Sequence, residues 1–222
     1  MKSLKLTVIL FAALLMAGCA TTVPLNQKFY NTKKVGVIVL VDSIGIAKEG
    51  AQGLLDMAMT PGDKYRAPLN TIAPKVNPKS LLLNEISSIL QSKNKAFVVL
   101  PDNVVDQNLA KFEAPESSDL KYYKRDFRAI KAKHNVDEVL YVRVKYGILV
   151  SYYSMVEIGR EGYTMLNANI IDLDDNSLLS QYTIRAKAPL KGKWNEAPEY
   201  TNLKNAIQLA INKSAESLKT KF

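Results

Sequence analysis

With one cysteine, one histidine and one tryptophan in 222 residues, the sequence is poor in the side chains that most often carry chemistry. The lone cysteine, Cys19, cannot close an intramolecular disulfide, so the fold must be held by packing alone. The lone histidine, His134, is the one base open to a Ser-His-Asp set, and it falls on an apolar stripe at an expected helix end, where packing or a helix-dipole contact accounts for it. No Gly-x-Ser-x-Gly elbow is present to strain a nucleophile. Ser92-x-x-Lys95 and Ser118-x-x-Lys121 match a Ser-x-x-Lys spacing, but its companion Ser-Asp-Asn and Lys-Thr-Gly motifs are missing. Gly45 and Gly50 have the spacing of a phosphate-cradling loop, yet Ala51 stands where the lysine belongs. Asp172-x-Asp174-x-Asn176 opens like a calcium loop, but Ser177 replaces the glycine of the sharp turn and Thr183 the bidentate carboxylate, leaving an acidic hairpin turn as the expectation. Long apolar runs are also absent, since residues 6–17 fall short of the roughly 20 that span a bilayer.

That short run follows Met1-Lys2-Ser3-Leu4-Lys5, the cation-then-hydrophobe order of a secretory signal. It leads into Leu15-Met16-Ala17-Gly18-Cys19-Ala20, small residues before the only thiol. This stretch resembles the lipobox of bacterial lipoproteins, with Met16 where leucine is usual. The resemblance implies cleavage before Cys19 and an N-acyl diacylglycerol on that cysteine, with no other cofactor. One acyl chain binds a membrane marginally, so several on one cysteine make a firm anchor. Ala20 in place of an aspartate implies, by the same resemblance, the outer membrane, with the domain facing the periplasm and surface exposure left open.

Loss of residues 1–18 leaves 222 − 18 = 204 residues and takes the formal charge from +9 to +7, because Lys2 and Lys5 go and no acid does. That length suits one domain. The basic excess suits anionic headgroups or acidic partners, while nucleic acid is not expected for an exported chain.

Residues 19–32 are polar and aperiodic and read as a flexible lipidated tether, leaving 33–222 as a single periplasmic domain. Residues 35–41 form a continuous β-branched run, the mark of a strand buried on both faces. Residues 45–78 mix glycines and prolines around a short helix expected near 47–59, and read as a long excursion. Asn77-Pro78 supplies an N-cap and first-turn proline for a helix with Leu82, Ile86, Ile89 and Leu90 on one face. A second strand spans 96–100. Asp119 then caps an expected helix carrying Leu120, Tyr123, Phe127, Ile130 and His134, with Asn135 at its exit. Beyond Asn135 the period becomes two, as in Leu140, Val142, Val144 and Tyr146, predicting an antiparallel three-strand meander with turns at 159–162 and 172–177. A closing helix carries Leu203, Ile207, Ala210, Ile211 and Leu218.

The predicted fold is α/β, a mixed sheet with strand-helix-strand-helix followed by the meander and a C-terminal helix. Residues 130–140, a helix leading into a strand, and 168–179, a strand, acidic turn and strand, are similar to the periplasmic domain shared by the curli-secretion lipoprotein and the TolB amino-terminal domain. The anchor, this related fold and the absence of catalytic sets together point to a non-catalytic module that helps assemble or stabilise an envelope complex by binding envelope proteins, and a homo-oligomer is a further expectation.

Two segments stand out as partner contacts. The excursion offers Leu54, Leu55, Met57 and Met59, and flexible methionines on a long connection suit an adaptable surface, although folding back over the sheet would also explain them. Lys124, Arg125 and Arg128 lie in the densest basic segment, interleaved with aromatics, and suit an anionic polymer or acidic partner. The competing reading is an envelope hydrolase or ligand-binding enzyme using Glu49, Asp56 or Asp63.

The leader makes a direct prediction. Mass spectrometry of the mature N-terminal peptide is expected to show acylated Cys19, and Cys19→Ser should release the protein from membranes. An intact Met1 on membrane-bound protein would refute it.

Overall fold

The computed structural model describes residues 22–31, 33–59, 63–104 and 106–222. Its strands are β1 (Val35–Val41), β2 (Gly45–Ala51), β3 (Phe97–Val99), β4 (Glu138–Tyr153), β5 (Val156–Asp172) and β6 (Leu178–Pro189). The helices are α1 (Leu54–Met59), α2 (Arg66–Ile72), α3 (Pro78–Ser92), α4 (Ala129–His134) and α5 (Thr201–Lys219). Together they make the α/β architecture read from the sequence. One mixed sheet runs in the order β3-β1-β4-β5-β6, and β2 also pairs with β4.

The length of β4 sets the plan. Its first half, Glu138 to Val144, pairs in parallel with β1, and its second half, Gly147 to Tyr153, pairs in parallel with β2. β1 and β2 thus lie end to end along one side of a 16-residue strand. At the junction Gly147 has φ +146, and a Cβ there would sit 1.9 Å from the Gly45 carbonyl oxygen, so only glycine fits. The helix expected near 47–59 is therefore half strand. Pairing residues 45–51 with β4 satisfies backbone groups that would otherwise form an open edge.

Alternation divides the sheet into two faces. On one, Val37, Val39, Leu140, Val142, Leu166 and Ala168 pack against Leu82, Ile86 and Leu90 of α3 and Leu218 of α5. The same face continues through Ile148, Val150 and Tyr152, which meet Tyr65, Leu69 and Ile72 of the excursion and Leu203, Ile207 and Ile211 of α5. Asn77 caps α3 as expected, accepting a hydrogen bond from the Ser80 amide at 3.0 Å. The other face is covered only at one end, where Leu100, Tyr123, Phe127, Ile130 and Val136 pack over Ile38, Val139 and Tyr141.

Three expectations are corrected by tertiary contacts. The β4–β5 turn lies at Ser154, whose φ is +51, and not at 159–162, which sits inside the 17-residue β5. Gly162 is there for packing: a Cβ would lie 2.1 Å from the Ala206 carbonyl oxygen, so α5 touches bare sheet backbone. The helix expected from Asp119 begins instead at Ala129. Asn176, fully buried with φ +67, takes the groups that would have closed the earlier turns. Its Oδ1 accepts from the Phe127 amide at 2.9 Å, and its Nδ2 donates to the Tyr123 and Arg125 carbonyls at 3.0 Å.

The third correction concerns the tether. Residues 22–31 are docked: Val23 bridges Gln181, the Asn26 amide donates to the Leu179 carbonyl at 2.8 Å, and Gln27–Tyr30 form a 3₁₀ turn. Phe29, on that turn, is fully buried. The arm covers part of the β6 edge, which polar composition alone did not reveal.

Beneath the arm lies a buried ionic cluster. Glu138 and Asp172 stand directly opposite each other on β4 and β5, an arrangement that would repel if unpaired. Lys95 pairs with Glu138 at 3.1 Å, with side chains 2% and 0% exposed. Its ammonium also donates to the Asn31 carbonyl at 2.9 Å and lies 4.3 Å from the Phe29 ring centre. Lys33 and Lys28 reach Asp172 at 3.7 and 3.8 Å. Burial pushes the Glu138 carboxyl above its ordinary range despite the attraction of Lys95. Removing one member of a buried pair strands the other, so Lys95→Met is expected to cost about 3–5 kcal/mol in urea unfolding. Adding Glu138→Met should recover most of that loss. Equal losses in the single and double variants would contradict it.

Candidate functional site

The residues singled out from the sequence do not converge on one place. Cys19 lies outside the described residues. In the excursion, Leu54 and Met59 are 84% and 64% exposed, while the side chains of Leu55, Asp56 and Met57 are not among those described. Most of the excursion is a cover, because Tyr65, Leu69, Ile72 and Val76 are buried in the core. Glu49 bonds Ser151 at 3.1 Å and pairs with Lys187 at 2.6 Å, whereas Asp63 pairs with Arg66 at 2.9 Å. These two carboxylates are thus neutralised separately. In the basic segment, Arg128 is clamped by Asp126 at 2.8 and 3.0 Å and stacks over Phe112. Arg125 bonds the Leu109 carbonyl at 3.3 Å, and Lys124 is exposed. His134 closes α4 with Asn135 in the left-handed exit position. Among the described residues no cluster of three potential metal ligands occurs.

Two surface features do draw residues together. The first is the uncovered half of the second sheet face, where β4, β5 and β6 align polar side chains in rows. Register puts Tyr141 beside Asn169 and Gln181, Arg143 beside Asn167 and Thr183, and Lys145 beside Met165 and Arg185. Gln181 donates to Asn169 at 3.1 Å and Thr183 to Asn167 at 2.9 Å, which fixes the amides. Lys121 and Lys124 overhang these rows and close an open cavity of about 630 Å³. No acidic side chain lines it. Arg143 pairs with Asp42 at 3.1 Å.

The second feature is the β4–β5 tip. Tyr153, Met155, Val156 and Ile158 are each more than half exposed. A register shift opposite Ser151 and Tyr152 leaves Ile158 as the extra residue of a bulge and turns it outward. The same end carries α1, because Gln52 donates to the Ser154 carbonyl at 2.9 Å before the helix and Lys64 pairs with Glu157 at 2.5 Å after it. The segment that carries the exposed Leu54 and Met59 is thus tied to this end on both sides. In the sequence the glycines at 159 and 162 mark a turn more strongly than Ser154 does, which hides the tip. The signal that could have found it is the apolar quartet Tyr153, Met155, Val156 and Ile158 straddling Ser154.

A polar pin holds that end. Tyr65 bonds Glu157, and Arg160 donates to the Tyr65 hydroxyl at 2.7 Å while also pairing with Glu157. Trp194 packs on Tyr65 with ring centres 4.6 Å apart and carries Arg160 over its face. Burial opposes the Glu157 charge, but bonds from Lys64 and Tyr65 and the charge of Arg160 outweigh it and hold its carboxyl below the ordinary range. Burial, with Glu157 alongside, pushes the Tyr65 hydroxyl up.

No protein-family model matches the chain, and no curated protein matches its sequence. The resemblance to the curli-secretion and TolB group therefore gains no counterpart there. Solved structures that align with it include PelC from Paraburkholderia phytofirmans, described as a dodecamer, at 12% identity over 90% of this chain and 94% of that chain, with a TM-score of 0.36. A protein from Xanthomonas campestris aligns at 10% identity over 90% and 89%, with a TM-score of 0.41. A lipoprotein from Neisseria meningitidis aligns at 16% identity over 81% and 99%, with a TM-score of 0.33. At these scores none of them carries a function across.

The pin is testable through the single tryptophan. A carboxylate whose folded pKa is depressed stabilises above its unfolded value and loses that contribution as pH falls through the folded one. Trp194 fluorescence is thus expected to change reversibly as pH drops below about 4.5, the unperturbed value for Glu157. Glu157→Gln should show the altered signal already at pH 7. An unchanged signal in that variant would count against the pin.

Proposed function

We propose that the chain is a lipid-anchored, non-catalytic interaction module that stands on the periplasmic side of the outer membrane and helps assemble or hold an envelope complex. The observation that carries this reading is the apolar hairpin tip of Tyr153, Met155, Val156 and Ile158, with the exposed Leu54 and Met59 on the segment pinned to it. Exposed apolar side chains gathered in one place mark a contact surface more often than scattered ones do. The end also lies far from the anchored arm. Along β4, the twelve steps from Tyr141, in the row of Gln181, to Tyr153 span about 40 Å at roughly 3.3 Å per residue. An anchor at one end and an apolar tip at the other suit a module that holds a protein partner away from the bilayer.

The fold akin to the curli-secretion and TolB group belongs to this proposal, as does outer-membrane placement inferred from Ala20. An enzymatic role for Glu49, Asp56 or Asp63 is the weaker reading, since Glu49 and Asp63 are held by separate cations.

Photo-crosslinking in intact cells from positions 155 and 158 is expected to capture a specific protein, and the double variant Met155→Asp/Ile158→Asp should cut its recovery about tenfold, equal to roughly 1.4 kcal/mol. Because both side chains are exposed, thermal melting should barely move. Undiminished recovery would reject the tip as the contact, and a large drop in melting temperature would show that it is part of the core.

A further inference from the structure

We infer that the open sheet face under Lys121 and Lys124 is a binding site for the phosphate headgroups of anionic lipid in the membrane that holds Cys19; this rests on the lipid-anchor reading above. Charge is the first argument. Lys121, Lys124, Arg143 and Lys145 line the cavity with fixed amide and hydroxyl groups and without a carboxylate on its walls. Arg143 is balanced by Asp42, but Lys121 and Lys145 form no ion pair among the described residues, nor does Arg185 in the row of Lys145. Farther along, Lys187 is engaged by Glu49 and Glu161. The surplus is therefore concentrated on the cavity and not spread along the face.

Reach is the second argument. Val23 bridges Gln181, which lines this same cavity. Four Cα steps separate Val23 from Cys19, so covalent geometry keeps Cys19 within about 15 Å of Val23 and about 20 Å of the cavity's edge. A cationic surface so close to a bilayer lies within about two to three Debye lengths of its headgroups at physiological salt. Lysine and arginine near an anionic membrane surface each add to binding, and hydrogen-bonding amides suit phosphate and glycerol oxygens. The arm so docked gives the site a fixed place relative to the anchor, which a free tether would not.

The test uses the full mature chain with Cys19→Ser, so that no lipid is attached, in flotation with phosphatidylcholine vesicles containing about one-third phosphatidylglycerol. Binding is expected, and it should be lost with pure phosphatidylcholine and at high salt. Lys121→Gln and Lys145→Gln should each weaken partitioning about fivefold. The control Lys191→Gln/Lys193→Gln, on the loop between β6 and α5, should not. Unchanged melting temperatures are expected, because Lys121 and Lys145 are exposed. Absent binding, equal binding to neutral vesicles, or equal weakening by the control pair would overturn the inference. So would capture of a soluble carboxylated polysaccharide through the same lysines without vesicle binding. Acylation of Cys19, read separately by mass spectrometry, keeps the two readings apart: an acylated protein whose lipid-free form ignores anionic vesicles overturns the headgroup site and leaves the anchor standing.

Discussion

Two carboxylates facing each other inside a sheet are the constraint around which this fold is arranged. Glu138 opens β4 and Asp172 closes β5, and their side chains are essentially without solvent. Neither charge is tolerable there alone, because burial in a medium of low polarity costs several kcal/mol per ion after relaxation. The cations that answer them come from elsewhere in the chain. Lys95 arrives on the turn between α3 and β3, and Lys28 and Lys33 on the amino-terminal arm. The arm, the α3–β3 unit and the meander are thus joined by charge at one point, and Phe29 is packed into the core beside it. Apolar contacts supply most of the cohesion, but this cluster determines which segments must be present together.

That coupling has a geometric result. An arm locked to the ionic cluster and to the β6 edge fixes where an anchor at Cys19 leaves the domain. Under the proposed lipid anchor, one end of the sheet would be held at the membrane and the other, some 40 Å along β4, directed away from it. Orientation, which a flexible tether would average out, becomes a property of the fold.

The parts that could be read from sequence are those governed by local rules. Asn77-Pro78, the stripe of Leu82, Ile86, Ile89 and Leu90, the alternation after Leu140 and the stripe of α5 each carry their own periodicity, and each forms as read. What escaped is governed by distant partners. Asn176 unwinds the segment before Ala129 from about fifty residues away, and nothing near Asp119 announces it. Gly159 and Gly162 look like a turn because glycine usually marks one, yet Gly162 is required by the backbone of α5 lying against it. Polar residues 19–32 hide one essential aromatic, Phe29. At the proposed contact surface, Leu54 and Met59 of the excursion are exposed, and Tyr153, Met155, Val156 and Ile158 come from the β4–β5 tip. The basic segment divided in the same way, since Arg128 is consumed by Asp126 while Lys124 overhangs the open face.

The open sheet face and the apolar tip share a single origin in unequal strand lengths. β4 and β5 are 16 and 17 residues long, while β1 has seven and β3 three. The elements that pack on the second sheet face come from the segments around β3 and α4, and these reach only the near half of the long strands. Beyond that point alternation still sends every second side chain to this face, and although Leu149 and Met165 lie there too, most of those positions are polar. Arg143, Lys145, Asn167 and Thr183 occupy them, and the face is consequently charged. At the far end even the first face runs out of cover past Tyr152, and the hairpin tip projects beyond both layers. A tip with no folding role would be expected to be polar. Tyr153, Met155, Val156 and Ile158 at that position belong to none of the core clusters and expose apolar area to water, which is the exposure the proposed contact would cover.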